Sequence, residues 1–437
     1  MKDFCVGAAK SEITPALGCL LYGYPVERHA ERVLDKLSIG AIAIRQNAKI
    51  LLLISAEICS ISKETCDGLR KTVSDAVGVG AESVFFFTTH THSGPITRTS
   101  AGWGDADEAY ITDILTPGAV QVAREAMANL SPAEMAIGSV ESLAGINRRE
   151  ITPQGNVILG QNPDGPYDPT MTVLRFQSVT GKPIGSVVHF AVHPTSAGVN
   201  LSITRDWPGY MVDRIEEISG AMCIYLNGAE GDIGPRLSNG RTTGDDSYVE
   251  EIGRIAEVDV QKAFESATEF FVPELHIHTD KVFLPFAKPP CPEEVDKRLE
   301  ALGDPRKLIE VDVTKYAQMS RIKRMYETEE AFPQGVTLDQ TVVALGEYAM
   351  IPAPFEAFCE IALAISEGSP YKKTLFLGLT NGGYGYLPTS EQIPYGGYEV
   401  DSFHAAGVTG FPDDTDKRFI AANVALLKQL FDIQNGK

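Results

Sequence analysis

The run Thr88-Thr89-His90-Thr91-His92-Ser93-Gly94-Pro95 sets two imidazoles two residues apart, where an apolar stretch gives way to a turn. On an extended backbone such residues point to the same side, so His90 and His92 can face one pocket. Neutral imidazole is a standard zinc ligand, and the ends of strands in α/β sheets are where functional groups concentrate. Two histidines that only cap a strand end would read the same way. A second cluster, Gly185 to Pro194, holds His189 and His193. His193 stands at the strand's end before Pro-Thr-Ser-Ala-Gly and is the better ligand candidate. His189, between Val188 and Phe190, reads as a satisfied core histidine. Four of the chain's eight histidines lie in these two segments, which favours a shared site.

Carboxylate and phenol candidates come later. Ile351 to Glu356 leads from a predicted strand into a predicted helix whose first turn contains Glu356. A glutamate there serves the helix dipole or presents its carboxylate to a metal. Asn381 to Pro388 is a glycine-rich loop carrying Tyr384 and Tyr386, with Tyr395 and Tyr398 beyond it. Spacing alone makes none of these a ligand.

These residues need elements to position them. Residues 39–45 and 50–57 are β-rich runs joined at Asn47, a hairpin. Cys66, Leu69, Val73 and Val77 form a helical stripe over 62–77, with Ser62 as N-cap. Val84-Phe85-Phe86-Phe87 then reads as a short buried strand. The order recurs downstream: strands near 172–178 and 184–192, a helix near 208–218, a strand at 222–227 and a helix near 247–265. The expectation is an α/β fold of layered mixed β-sheets flanked by helices. Residues 285–334 read as an inserted helical excursion, either a lid or, with more weight, a solvated surface hairpin. The whole of 1–437 is expected to be a single catalytic domain.

Acidic residues outnumber basic ones by 58 to 38, for a formal charge of −20. So negative a surface repels phosphate backbones and anionic lipid, so neither nucleic acid nor stable membrane association is expected. The seven cysteines are dispersed and never spaced as CxxC. With no leader-like or spanning segment, a reducing, cytoplasmic setting is expected.

The chain resembles the catalytic region of the neutral (non-lysosomal) ceramidases and their bacterial relatives. The matching segments are Ile13-Thr14-Pro15 with Gly23-Tyr24, the THTHSGP run, Ile146-Asn147-Arg148, Asn162-Pro163 and HFAVHPTSAG. They continue with Asn227 to Pro235 (NGAEGDIGP), Pro354-Phe355-Glu356 and the block from Tyr386 to Tyr398. The resemblance implies that His90, His193, Glu356 and Tyr386 hold Zn2+. It further implies that His92, Arg148 and Tyr398 line the site as catalytic residues, and that Gly23, Asn227, Asp232 and Gly234 lie at the substrate. Asp232 is equally read as a turn-stabilising residue. One departure matters: the family carries a serine, regarded as its nucleophile, where this chain has Gly234.

Glycine supplies no oxygen nucleophile, so the expected chemistry is hydrolysis of an amide or ester by metal-activated water. The expected partner is a small soluble substrate; the sequence does not fix the oligomeric state. Two alternatives remain: a zinc-containing binding relative without turnover, or a true ceramidase acting on N-acyl sphingoid lipids. Barrel-type amidohydrolases also use HxH but place it near the first strand, and they rank below both.

Overall fold

A computed structural model describes residues 3–437. Its centre is an eight-stranded mixed sheet. In spatial order the strands are Met222–Asn227, Pro183–Phe190, Thr170–Ser178, Ser131–Glu141, Phe4–Glu12, Ser38–Gln46, Lys49–Ala56 and Val84–Thr88. The pairings are antiparallel except at the two edges, where Lys49–Ala56 runs parallel to Val84–Thr88 and Pro183–Phe190 parallel to Met222–Asn227. Each parallel edge pair is joined through a helix, Lys63–Val77 or Pro208–Ser219. The Ser62 side chain caps the first of these by accepting from Thr65 N.

Side-chain alternation explains the layering. Leu51, Leu53, Phe85 and Phe87 face a second sheet, whereas Leu52, Ile54, Val84 and Phe86 pack under the helices Lys63–Val77 and Thr116–Ala128. Strands buried on both faces therefore read as continuous apolar runs. The second sheet has four strands, in the order Leu275–Pro285, Gly335–Leu345, Tyr348–Pro352 and Lys373–Leu377. Its Val343, Leu345, Met350, Leu375 and Leu377 complete the cluster between the sheets. Its far face is covered by the helices Cys359–Gly368 and Thr415–Gln434. The architecture is thus helix, sheet, sheet, helix.

The segment between Pro285 and Gly335 leaves from the end of a long antiparallel hairpin whose register runs from Leu275↔Leu345 to Pro285↔Gly335. It carries the helices Pro292–Leu302 and Val311–Glu327, joined by a small cluster of Val295, Met319 and Ile322. It is more than a solvated hairpin. Lys315 pairs with Asp401 at 3.0 Å and Gln318 donates to the His404 carbonyl at 3.1 Å, which docks the second helix on Tyr398–His404.

Candidate metal centre

The two histidine segments meet where the parallel edge strands end. Strand periodicity is not what brings them together. Val84–Thr88 stops before the HxH pair, and His90 takes a left-handed conformation with φ 71°. Such a conformation is uncommon outside glycine and is held here by the His90 N–H donating to the Ile58 carbonyl at 3.0 Å. His193 likewise lies beyond its strand, which ends at Phe190; its N–H donates to Ile233 O and its carbonyl accepts from Trp207 Nε1. His189 is the core histidine expected, with Nε2 at 2.7 Å from the Phe376 carbonyl. Glu356 does not begin a helix. It sits in the two-residue strand Glu356–Ala357, parallel to Tyr386–Leu387, and the helix starts at Cys359. This short pairing sets Glu356 directly beside Tyr386.

Nε2 of His90 lies 3.4 Å, and Nε2 of His193 3.3 Å, from the same Glu356 carboxylate oxygen. Both rings are anchored from behind. His90 Nδ1 is 2.8 Å from the Cys59 carbonyl, and His193 Nδ1 is 2.7 Å from the Glu230 carbonyl. A carbonyl only accepts, so each Nδ1 carries a proton and each Nε2 is left aimed at Glu356. Carbonyl-anchored imidazole is the usual support of a metal-ligating histidine. His92 presents Nε2 at 3.3 Å from His90 Nε2, while its Nδ1 is buried without a partner.

Electrostatics follow this geometry. Burial opposes ionisation of Glu356, yet His90 and His193 outweigh it and hold the carboxyl well below its ordinary range. Burial and Arg148 lower His193 to about 3, and burial and the neighbouring imidazoles push His92 well below its ordinary value. Burial also raises Glu230 to about 8, and neither of its carboxylate oxygens has a partner. Against burial, Cys59 and Glu356 raise His90 well above its ordinary value, so two imidazole Nε2 atoms and a carboxylate oxygen converge on one point with their charges coupled. That donor set fits a divalent cation with nitrogen and oxygen preference.

Tyr386 stacks on His193, with ring centroids 6.4 Å apart and 17° between planes, and its hydroxyl accepts from Arg148 Nη2 at 2.8 Å. Burial raises the Tyr386 phenol well above its ordinary value, with Arg148 opposing. Arg148 is held in turn by the buried Glu399, which also takes Arg149. Tyr398 meets Tyr386 edge to face at 5.6 Å. Gly23, at φ 110°, lies against His92: a Cβ there would fall 2.4 Å from the ring's Cγ, so only glycine fits. A cavity of about 470 Å³ opens over His90, His92, Glu356, Tyr386, Tyr398 and Gly23.

Asn227, Asp232 and Gly234 are brought near the centre in the chain, but none of them lines this cavity. Asn227 Oδ1 accepts from Tyr225 and Gly228, and Asp232 accepts from Asn147 Nδ2 and Cys359 N. Gly234 pairs with Ile146, and a Cβ on it would lie 2.5 Å from Thr242 Cβ. The space a serine would need is filled by Thr242. Cys59, Glu230, Glu399 and Arg28 went unnoticed in the sequence. Arg28 donates to the carbonyls of both Tyr22 and His92, fixing the HxH loop. Cys59 was readable only as a small buried hydrophobe, and Glu399 gave no signal beyond its closeness to Tyr398.

Residues 4–240 match the model of the neutral/alkaline non-lysosomal ceramidase N-terminal domain. The chain belongs to that family. Neutral ceramidase B of Dictyostelium discoideum is 26% identical over 226 residues, which make up 48% of this chain and 31% of that protein. The match thus spans less than a third of that relative's length. The crystal structure of neutral ceramidase from Pseudomonas aeruginosa superposes with a TM-score of 0.75 at 21% identity, covering 98% of this chain and 74% of that one. A structure titled "Ceramidase complexed with C2" gives a TM-score of 0.76 at 20% identity, covering 99% and 76%. At these identities the likeness is one of fold, and it extends beyond residue 240 into the segments carrying Glu356 and Tyr386.

Proposed function

We propose that this chain is a metal-dependent hydrolase that cleaves an amide or ester bond of a small soluble substrate. His90, His193, Glu356 and Tyr386 would hold the metal, and Zn2+ suits that mixed nitrogen and oxygen set. The observation carrying this reading is the convergence of the Nε2 atoms of two imidazoles, each anchored to a carbonyl through Nδ1, on one carboxylate oxygen. When bound, zinc lowers the pKa of water to about 7 and polarises a carbonyl.

The chain's own residues supply the rest. His92 lines the cavity with Nε2 on the centre, placed to accept a proton and return it to the leaving group. Arg148 keeps a donor on Tyr386 and is itself fixed by Glu399, so the phenol stays oriented. Tyr398, facing the cavity, is placed to donate to the developing oxyanion. With Gly234 packed on Thr242, hydrolysis proceeds without a serine at that position. The seven unpaired cysteines suit a reducing compartment, and we place the protein in the cytoplasm as one domain over 1–437. No helix among the described residues is long and apolar enough to cross a membrane.

The test is chelation of the purified chain followed by zinc return, assayed on amide, ester and lactone panels. Activity should vanish and come back; turnover surviving full metal removal would end the proposal. Family membership favours a second reading, cleavage of N-acyl sphingoid amides. Ceramide turnover faster than that of every soluble panel member would establish it.

A further inference from the structure

The floor of the cavity belongs to the centre, but its mouth is built differently. It is lined by the loop carrying Arg98, Thr99, Ser100 and Trp103 and by the insert helix Val311–Glu327, which contributes Thr314, Gln318 and Arg321 and packs its Val313 against that loop at Gly102. Apart from Glu356 on the floor, Arg98 and Arg321 are the only lining residues that carry a full charge irrespective of histidine protonation. No carboxylate among the described residues pairs with either guanidinium, although the chain holds 58 acidic residues against 38 basic ones. On the same helix Lys315 pairs with Asp401 and Lys323 with Asp296, and on the floor Arg148 and Arg149 share Glu399.

We propose that the substrate bears a carboxylate, received at the mouth by Arg98 and Arg321 while its scissile carbonyl lies over the floor. This rests on the hydrolase reading above and names its substrate class. Guanidinium presents a planar fork matched to carboxylate, and a low-dielectric cleft strengthens the attraction for a ligand that an acidic surface otherwise repels. Thr99, Ser100 and Gln318 add hydrogen-bonding groups, and Trp103, tilted against Tyr22 at 5.9 Å, gives an apolar wall for the acyl part. The insert is therefore the specificity wall of the site, docked on Tyr398–His404 by its Asp401 and His404 contacts.

The probes are N-hexanoylglycine and its neutral carboxamide, N-hexanoylglycinamide, applied to the zinc-loaded chain. Binding is measured by calorimetry, and hydrolysis by release of the glycine moiety. The carboxylate should bind at least about tenfold more tightly than the carboxamide, and Arg98→Gln and Arg321→Gln should each reduce that preference about tenfold. Arg98→Lys should retain part of it, and melting curves matching wild type would show that the variants fold. No preference in wild type, or a preference untouched by both glutamine substitutions, would overturn the proposal, since the carboxylate would then be held elsewhere. Arginine-dependent binding without hydrolysis of either compound would leave the carboxylate site standing and count against the hydrolase reading alone.

Discussion

The loop after Val84–Thr88 and the loop Asn227–Pro235 flank one centre, and both carry residues that resemble the ceramidase family. They are used in opposite ways. In the first, tertiary hydrogen bonds to Ile58 and Cys59 force His90 into a left-handed conformation, and its Nε2 is thereby delivered to Glu356. In the second, the side chains of Asn227 and Asp232 bond to the surrounding scaffold, and the loop serves the centre through its backbone: the Glu230 and Ile233 carbonyls anchor His193 Nδ1. A shared motif therefore does not fix a shared role. Which atoms reach the cavity decides it.

Glu356→Ala attacks the first kind of residue and should have the largest effect. Loss of an outer-shell partner typically costs 10–100-fold in metal affinity, and loss of a direct ligand should exceed about a hundredfold in both affinity and turnover. Equilibrium dialysis with zinc checks the first and steady-state assays the second. Gly23→Ala should come next, because the added methyl displaces the His92 ring; turnover should fall roughly 10²-fold while one equivalent of metal is still bound. Equal loss of metal and activity would show that His92 supports the centre rather than the proton transfer.

The second loop should respond in stability. Gly234→Ser places Cβ against Thr242 and should cost about 1–3 kcal/mol in denaturant unfolding, without adding a nucleophile. Pairing it with Thr242→Gly should recover most of that loss. Enhanced turnover in Gly234→Ser alone would show that the position still addresses the substrate.

The smallest effect is a contrast in pH dependence. Burial raises Asp232 from 3.8 to about 7, so between those values the folded state binds more protons than the unfolded one. Stability should accordingly fall as pH rises through that window, by on the order of 1–2 kcal/mol between pH 5 and 7. Glu356 has the opposite sign: its depressed pKa contributes stability above the unfolded carboxyl range, which is lost on acidification. Melting temperatures of Asp232→Asn against wild type over pH 5–8 would isolate the Asp232 contribution; parallel curves would refute it.

Much of the scaffold was legible because each face of a strand has one kind of neighbour. The apolar runs over 50–57 and Val84 to Phe87 read as strands because both their faces are buried, and the Ser62 cap marked where the next helix begins. His189 as a core residue and His193 beyond the strand's end were readable for the same local reason. The centre was legible only as a set of candidates. His90 owes its direction to the hydrogen bond its N–H donates to the Ile58 carbonyl, thirty-odd positions away in neither helix nor strand pattern, and Glu356 owes its place to a two-residue pairing with Tyr386. Glu399 and the docking of the insert helix likewise depend on partners distant in the chain, and no periodicity encodes those.

X-ray absorption at the zinc edge tests the centre most directly. Expected is one zinc per chain with nitrogen and oxygen neighbours at about 2.0–2.2 Å, two of them imidazoles, and loss of that signal in His193→Ala and Glu356→Ala. A chain that binds no zinc, or a spectrum unchanged by both substitutions, would contradict the assignment of His90, His193, Glu356 and Tyr386 as one metal site.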